Sequence, residues 1–335
     1  MERNTQQKFA VLGGGSWATA IVKMLSENLE SITWYMRNTK AVDYIKTNNH
    51  NPKYLSSVEF NLDQLALTDD INLAVESADI LIFAIPSAFL KSELEKLNVH
   101  IKNKIIFSAI KGIVPESGLI VGEHFHVKYD IPFENIGVIT GPCHAEEVAL
   151  ERLSYLTIAC IDTKKAEQLA KVLQSEYIKT NVSKDIIGTE YAAMLKNIYA
   201  IAAGIAHGLG YGDNFQSVLM SNAIREMKRY TKKIYKIDRN INDSAYLGDL
   251  LVTAYSTFSR NRMFGNMIGK GYTVKSAMME MRMVAEGYYA TQSAYKLKAK
   301  FKKKARTPII DAVHDILYNK QNAKLVFKQL TEQLD

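Results

Sequence analysis

Short apolar runs alternate with helical stretches through the first half of the chain, and few folds accommodate that order. Lys8 to Leu12, Ile32 to Met36, Ile80 to Ile85, Ile105 to Ile110, Ile136 to Thr140 and Leu156 to Ile161 are each bounded by Gly, Pro or charge. Strands buried on both faces have this character. Interleaved with helical patterns such as Ala18 to Leu29, they predict a parallel-rich sheet with helices on both sides. After about Ile187 strand signals become rare. Helical patterns then cover Gly188 to Leu209, Gln216 to Tyr235, Asp249 to Asn261, Thr273 to Lys304 and Pro308 to Tyr318. The expected organisation is an α/β domain over residues 1–187 and an all-α domain over 188–335, with a ligand cleft between them.

A chain of 335 residues suffices for two such domains. No apolar run approaches the roughly 20 residues that span a bilayer. The opening Met1-Glu2-Arg3-Asn4 lacks the apolar region of a secretory signal. The two cysteines, Cys143 and Cys160, argue against a disulfide framework and suit a reducing cytoplasm. The net charge of +7 includes a dense run from Lys296 to Arg306, read as a solvated face. A positive field also favours anionic metabolites. With neither a recognised motif nor an aromatic-interleaved basic stretch, no nucleic-acid partner is expected. His124 and His126 resemble a ligand pair, but no cysteine or third histidine lies nearby, so no metal is expected.

Gly13-Gly14-Gly15-Ser16-Trp17-Ala18 follows the first strand and opens the first helix, fitting G-x-G-x-x-G/A with alanine in the last place. Gly13 permits the tight turn, Gly15 lets backbone approach a pyrophosphate, and the small Ala18 lets helix and strand pack closely. The helix N-terminus offers unpaired N–H groups and a positive dipole end to the anion. The second strand ends Trp34-Tyr35-Met36-Arg37-Asn38. An acid at that tip favours NAD and an arginine accommodates the extra phosphate of NADP. With Arg37 and no acid, the segment leans towards NADP(H) or dual use.

Lys196 lies in Tyr191 to Ala203, a segment apolar on nearly every face, and its neighbours three and four residues away include no carboxylate. Desolvation there should lower its pKa, as a proton donor to a ketone or acceptor from an alcohol requires near neutral pH. Asp249 is a natural charge partner from another segment. Lys111 follows the strand ending at Ile110, and Gly141-Pro142 ends another. Strand C-termini in an open parallel sheet face the ligand crevice. Arg260 and Asn261 are suited to grip phosphate, the arginine through its bidentate fork.

Seven segments recur in order: Gly13 to Thr19, Ile110-Lys111-Gly112, Thr140-Gly141-Pro142, Leu195-Lys196-Asn197, Leu247-Gly248-Asp249-Leu250, Ser259-Arg260-Asn261-Arg262 and Ala285-Glu286-Gly287. Together they resemble the NAD(P)-dependent glycerol-3-phosphate dehydrogenase family over almost the whole chain. The resemblance implies a Rossmann-type N-terminal domain, an all-α substrate domain and NAD(P)H as cofactor. It implies that Lys196 exchanges a proton with the substrate oxygen, Lys111 binds and polarises the substrate, and Asp249 and Thr253 hold the lysine network. Gly141 and Cys143 would line the substrate pocket. Ser259, Arg260 and Asn261 would bind the phosphate end, with Arg260 also reaching the cofactor. Ser16, Trp17, Ala145, Val284 and Glu286 would contact the cofactor. The implied substrates are dihydroxyacetone phosphate and sn-glycerol 3-phosphate, in a homodimeric cytoplasmic enzyme supplying phospholipid synthesis. One departure stands out: Cys143-His144 replaces the family's usual Ser/Thr-Phe, and a thiol is the weaker hydrogen-bonding group. His144 reads as a packing ring. The alternatives are another two-domain dehydrogenase of the β-hydroxyacid or ketopantoate type, and a non-catalytic nucleotide sensor on the same scaffold.

Overall fold

A computed structural model describes residues 7–281, 285–303 and 305–335. The chain divides into two compact units, Met1–Ile110 with Val114–Ile186, and Lys111–Ile113 with Ile187–Asp335. The first unit is built on an eight-stranded sheet. Its strands are β1 Phe9–Leu12, β2 Ile32–Tyr35, β3 Leu65–Thr68, β4 Ile80–Phe83, β5 Ile105–Ser108, β8 Ile136–Thr140, β9 Ser154–Cys160 and β10 Ile178–Ser183. The short strands β6 Ile113–Val114 and β7 Leu119–Ile120 pair separately. The sheet order is β10-β9-β8-β5-β4-β1-β2-β3. All neighbours are parallel except β8 and β9, where Val138 faces Ala159 in an antiparallel register.

Helices α1 Ser16–Ser26, α2 Thr39–Asn48, α3 Ile71–Glu76, α4 Ser87–Leu94, α5 Val121–Tyr129, α6 Ala145–Ala149 and α7 Thr163–Leu173 complete this unit. Successive strand residues face opposite ways. Val11, Trp34, Ile82 and Phe107 therefore join one core with α1 and α7, while Leu12, Tyr35, Leu81 and Phe83 join the other with α3, α4 and α5. Two dry faces account for the unbroken apolar runs in the sequence. β3 and β10 escaped that reading because they lie at the sheet edges. β10 carries Lys179, Asn181 and Ser183 and buries only Ile178.

The second unit is helical: α8 Ile186–Gly208, α9 Asp213–Ile234, α10 Asp249–Tyr255, α11 Arg260–Gly269, α12 Val274–Glu280, α13 Glu286–Ala299, α14 Pro308–Leu317 and α15 Ala323–Thr331. Every α8 residue from Gly188 to Ala206 is buried, as a helix apolar on nearly every face requires. α8 and α11 meet at the backbone. A Cβ on Gly204 would lie 2.1 Å from the Arg262 carbonyl oxygen, and one on Gly265 2.1 Å from that of Ile201. Gly208 and Gly269 repeat the contact one turn on.

Two expected helices are each divided. The Asp249 to Asn261 stretch stops at Tyr255, and Ser259 starts α11 by accepting the Arg262 N–H at 3.3 Å. The Thr273 to Lys304 stretch becomes α12, capped by Thr273, and α13, which restarts at Glu286 and ends at Ala299. Helical periodicity continues across both breaks, but at the first the Ser259 side chain caps a new helix. Lys304 lies outside the described residues.

Candidate active site

In the first unit the glycine turn joins β1 to α1 beside the point where the strand order reverses. Gly13 has φ +140°, and a Cβ there would press within 2.4 Å of the Ala84 carbonyl oxygen. Ala18 packs at 3.4 Å from the same point, so only a small residue fits in its place. A Cβ on Gly15 would meet nothing within 4 Å, and Gly15 caps α1 without a side-chain hydrogen bond. The N-terminal N–H groups of α1 thus face an open approach suited to an anion. Ser16 and Trp17 are the first two residues of that helix.

Three residues given no role from the sequence hold this turn. Trp34 Nε1 donates to the Gly13 carbonyl at 2.7 Å. The buried Asn51 amide donates to the Gly14 carbonyl at 3.2 Å and to Thr19 Oγ1 at 2.9 Å. The Thr19 hydroxyl donates to the Gly15 carbonyl at 2.9 Å. Nothing local marks Asn51, which lies 32 residues from its partner Thr19.

Arg37 extends from the end of β2, its guanidinium 4.8 Å from the Phe89 ring centroid. Gly141, at φ +119°, ends β8, where a Cβ would meet the Tyr155 carbonyl oxygen at 2.7 Å. The Cys143 thiol donates to that carbonyl at 3.1 Å, so it braces the turn against β9. Ala145 is the buried first residue of α6, and His144 precedes it as the cap. His124 Nδ1 meets the Ser117 hydroxyl at 3.2 Å, while the His126 ring packs at 4.3 Å from that of Phe133.

In the second unit Lys196, 3% exposed, projects from the middle of α8. Its ammonium donates to Asp249 Oδ1 at the first position of α10. A single π-helical turn, Ser244–Gly248, delivers Asp249 there. Burial pulls the Lys196 pKa down to about 7; the Asp249 charge opposes the fall, and the neighbouring Lys111 ammonium adds to it. Asp249 Oδ2 is also buried and has no hydrogen-bond partner among the described residues. The Thr253 hydroxyl donates to the Asp249 carbonyl at 2.6 Å, supporting the carboxylate through its backbone.

Glu286, at the start of α13, feels Arg260, Lys111 and Lys196; desolvation raises its pKa and all three cations oppose the rise. A Cβ on Gly287 would come within 2.6 Å of the Asn197 carbonyl oxygen, so this end of α13 rests directly on α8. Asn261 Oδ1 accepts the Gly287 N–H at 2.9 Å, which commits its carbonyl and leaves its NH2 as the group suited to an anion. Arg260 opens α11 immediately after the capping Ser259. Lys111, Lys196, Asp249, Arg260 and Glu286 therefore form one electrostatic cluster from five separate chain segments. Val284 lies outside the described residues.

Residues 8–166 match the N-terminal domain of NAD-dependent glycerol-3-phosphate dehydrogenase, and residues 185–328 match its C-terminal domain. The chain belongs to the NAD-dependent glycerol-3-phosphate dehydrogenase family. A relative from Bacillus velezensis, glycerol-3-phosphate dehydrogenase [NAD(P)+], is 34% identical over 328 residues, spanning 97% of this chain and 94% of that protein. The crystal structure of glycerol-3-phosphate dehydrogenase from Coxiella burnetii superposes with a TM-score of 0.87 at 26% identity, covering 97% of this chain and 99% of that one. A putative 2-dehydropantoate 2-reductase from Enterococcus faecalis, at 16% identity and TM-score 0.55 over 96% and 99% of the chains, shares the fold alone. Within the glycerol-3-phosphate dehydrogenase family the cofactor is NAD(P)H, and the open side of Gly15 at the α1 N-terminus fits a dinucleotide pyrophosphate.

Proposed function

We propose that this protein catalyses reversible reduction of dihydroxyacetone phosphate to sn-glycerol 3-phosphate with NAD(P)H. The observation that carries the reading is Lys196: a buried lysine, tied to Asp249 and facing Lys111, with its pKa brought down to about 7. A group so poised can give a proton to a forming alkoxide or take one from an alcohol near neutral pH. The bound nicotinamide would supply the hydride that adds to C2 of the ketone. As the C2 carbonyl π pair moves onto oxygen, the Lys196 ammonium protonates that oxygen, and solvent later restores the proton. The balanced reaction consumes one ketone, one NAD(P)H and one proton and yields one alcohol and one NAD(P)+.

Lys111 and Lys196 would stabilise the charge developing on oxygen, an effect strongest where water is excluded. Asp249 holds the Lys196 side chain, and Thr253 holds Asp249. Arg260 and Asn261, placed after the Ser259 cap, are assigned to the substrate phosphate, so that binding energy remote from C2 orients the carbonyl. Ser16, Trp17, Ala145, Arg260, Val284 and Glu286 are assigned to the cofactor, and Gly141 and Cys143 to the substrate pocket wall, on family resemblance. That resemblance also assigns a homodimer, a cytoplasmic setting and a supply of glycerophospholipid precursor. No helix among the described residues is long and apolar enough to cross a membrane.

The test is NADPH and NADH oxidation by the purified protein with dihydroxyacetone phosphate, with ketopantoate and 2-oxo acids as comparison substrates. Turnover specific to dihydroxyacetone phosphate is expected. Lys196→Ala should retain cofactor binding and lose about 10²–10⁴-fold in kcat. Absence of turnover with the phosphorylated ketone would overturn the reaction, and near-normal kcat in the variant would overturn the role of Lys196.

A further inference from the structure

The acid missing from the tip of β2 arrives instead from α4. Glu93, with a side chain 4% exposed, places Oε1 3.9 Å from Arg37 Nη1. Its carboxylate accepts the Tyr35 hydroxyl and, at 2.9 Å, the Lys96 ammonium. Those two donors anchor Glu93 independently of Arg37. Arg37 is half exposed and has a second support, the Phe89 ring, also on α4. The other acid near the strand tip, Asp69, is exposed and takes the Thr39 hydroxyl.

We propose that Glu93 is a specificity-determining residue for the cofactor: a fixed buried carboxylate that shares the Arg37 guanidinium with the adenosine 2′-phosphate and so holds NADPH preference down, keeping NADH usable. The inference rests on the dinucleotide reading of the glycine turn and on Arg37 as its 2′ contact. The physical basis is competition between two anions for one cation. A guanidinium meets anions through several N–H groups in a rigid fork. With Glu93 Oε1 3.9 Å from Nη1, a 2′-phosphate taking the guanidinium donors would lie close to a carboxylate held in place by Tyr35 and Lys96. Glu93 is largely shielded from solvent, so water and salt screen it less than an exposed carboxylate. A ribose with a free 2′-hydroxyl carries no charge there and meets no such repulsion. Stacking on Phe89 keeps the guanidinium in place when the carboxylate is neutralised.

The test compares wild type, Glu93→Gln, Tyr35→Phe and Arg37→Ala by two readouts. One is the ratio of kcat/KM for NADPH to that for NADH; the other is the ratio of the two cofactors' Kd values by fluorescence titration without substrate. Glu93→Gln should raise preference for NADPH about tenfold, the scale on which one nearby charge alters the energy of another. The change should sit in KM and Kd for NADPH, with kcat little altered. Tyr35→Phe removes one of the two anchors of Glu93 but keeps its charge and the Lys96 contact, and should shift the ratio much less than Glu93→Gln. Arg37→Ala should lower NADPH preference and abolish the effect of adding Glu93→Gln, as a shared interaction demands. An unchanged or reduced NADPH preference in a folded Glu93→Gln protein would overturn the proposal. So would an equal shift in Tyr35→Phe, or a persisting effect without Arg37. If the wild type binds both cofactors but reduces no dihydroxyacetone phosphate, the proposed reaction fails while the Kd ratios still decide the role of Glu93.

Discussion

Lys196 sits under opposed fields. Removal from water favours its neutral form, Lys111 pushes the same way, and Asp249 pushes back. The outcome sets a pH dependence with a definite sign. Ketone reduction needs the ammonium, so kcat/KM in that direction should fall as pH rises through about 7. Alcohol oxidation needs the free amine and should gain over the same range. Asp249→Asn removes the charge that holds the pKa up, so the reductive limb should move to lower pH. Paired pH profiles of wild type and variant check this, and a limb that stays in place or moves upward would contradict it. The apolar setting of Lys196 was legible in one helical segment. Its closeness to Lys111 was not, because 85 residues of sequence separate them and only folding brings the two charges together.

The glycines of α8 and α11 determine how close those helices come. Gly204 and Gly208 on one and Gly265 and Gly269 on the other each face partner backbone where a methyl group would need space. Gly265→Ala would force a Cβ to within 2.1 Å of the Ile201 carbonyl oxygen, so the helices must separate. A loss of about 1–3 kcal/mol is expected from such overpacking, measured as a lower urea midpoint at unchanged m. Because α11 begins with Arg260, the same shift should raise KM for the phosphorylated ketone more than it lowers kcat. Full retention of stability and KM would show that the contact yields freely. In sequence these glycines look like weak points of two helices. Their use emerges only when the helices are packed, because single-chain periodicity records which face is apolar but not what approaches it.

The net charge of +7 acts over the whole molecule. A dianionic substrate and a dinucleotide both diffuse in such a field, which is screened over about 8 Å at physiological salt. Raising ionic strength should therefore lower kcat/KM for dihydroxyacetone phosphate while kcat changes little. A salt-independent kcat/KM would mean that the surface field contributes nothing to capture. The same charge is not expected to retain DNA or RNA, which a salt-titrated binding assay would check.

The two-part organisation, the glycine turn and the isolation of Lys196 in an apolar helix were all present in the sequence. They depend on periodicity and on residues adjacent along the chain. Edge strands β3 and β10 and the breaks after Tyr255 and Glu280 were not, because edge strands lack a second buried face and helix ends depend on capping. Asp249 was named from the sequence as a partner for Lys196, but only the tertiary structure placed Asn51 beneath the glycine turn and Glu93 beside Arg37. Each of these pairs joins charged or hydrogen-bonding groups far apart in the chain. Sequence supplies the groups, but Coulomb and hydrogen-bond energies depend on separations that exist only after folding.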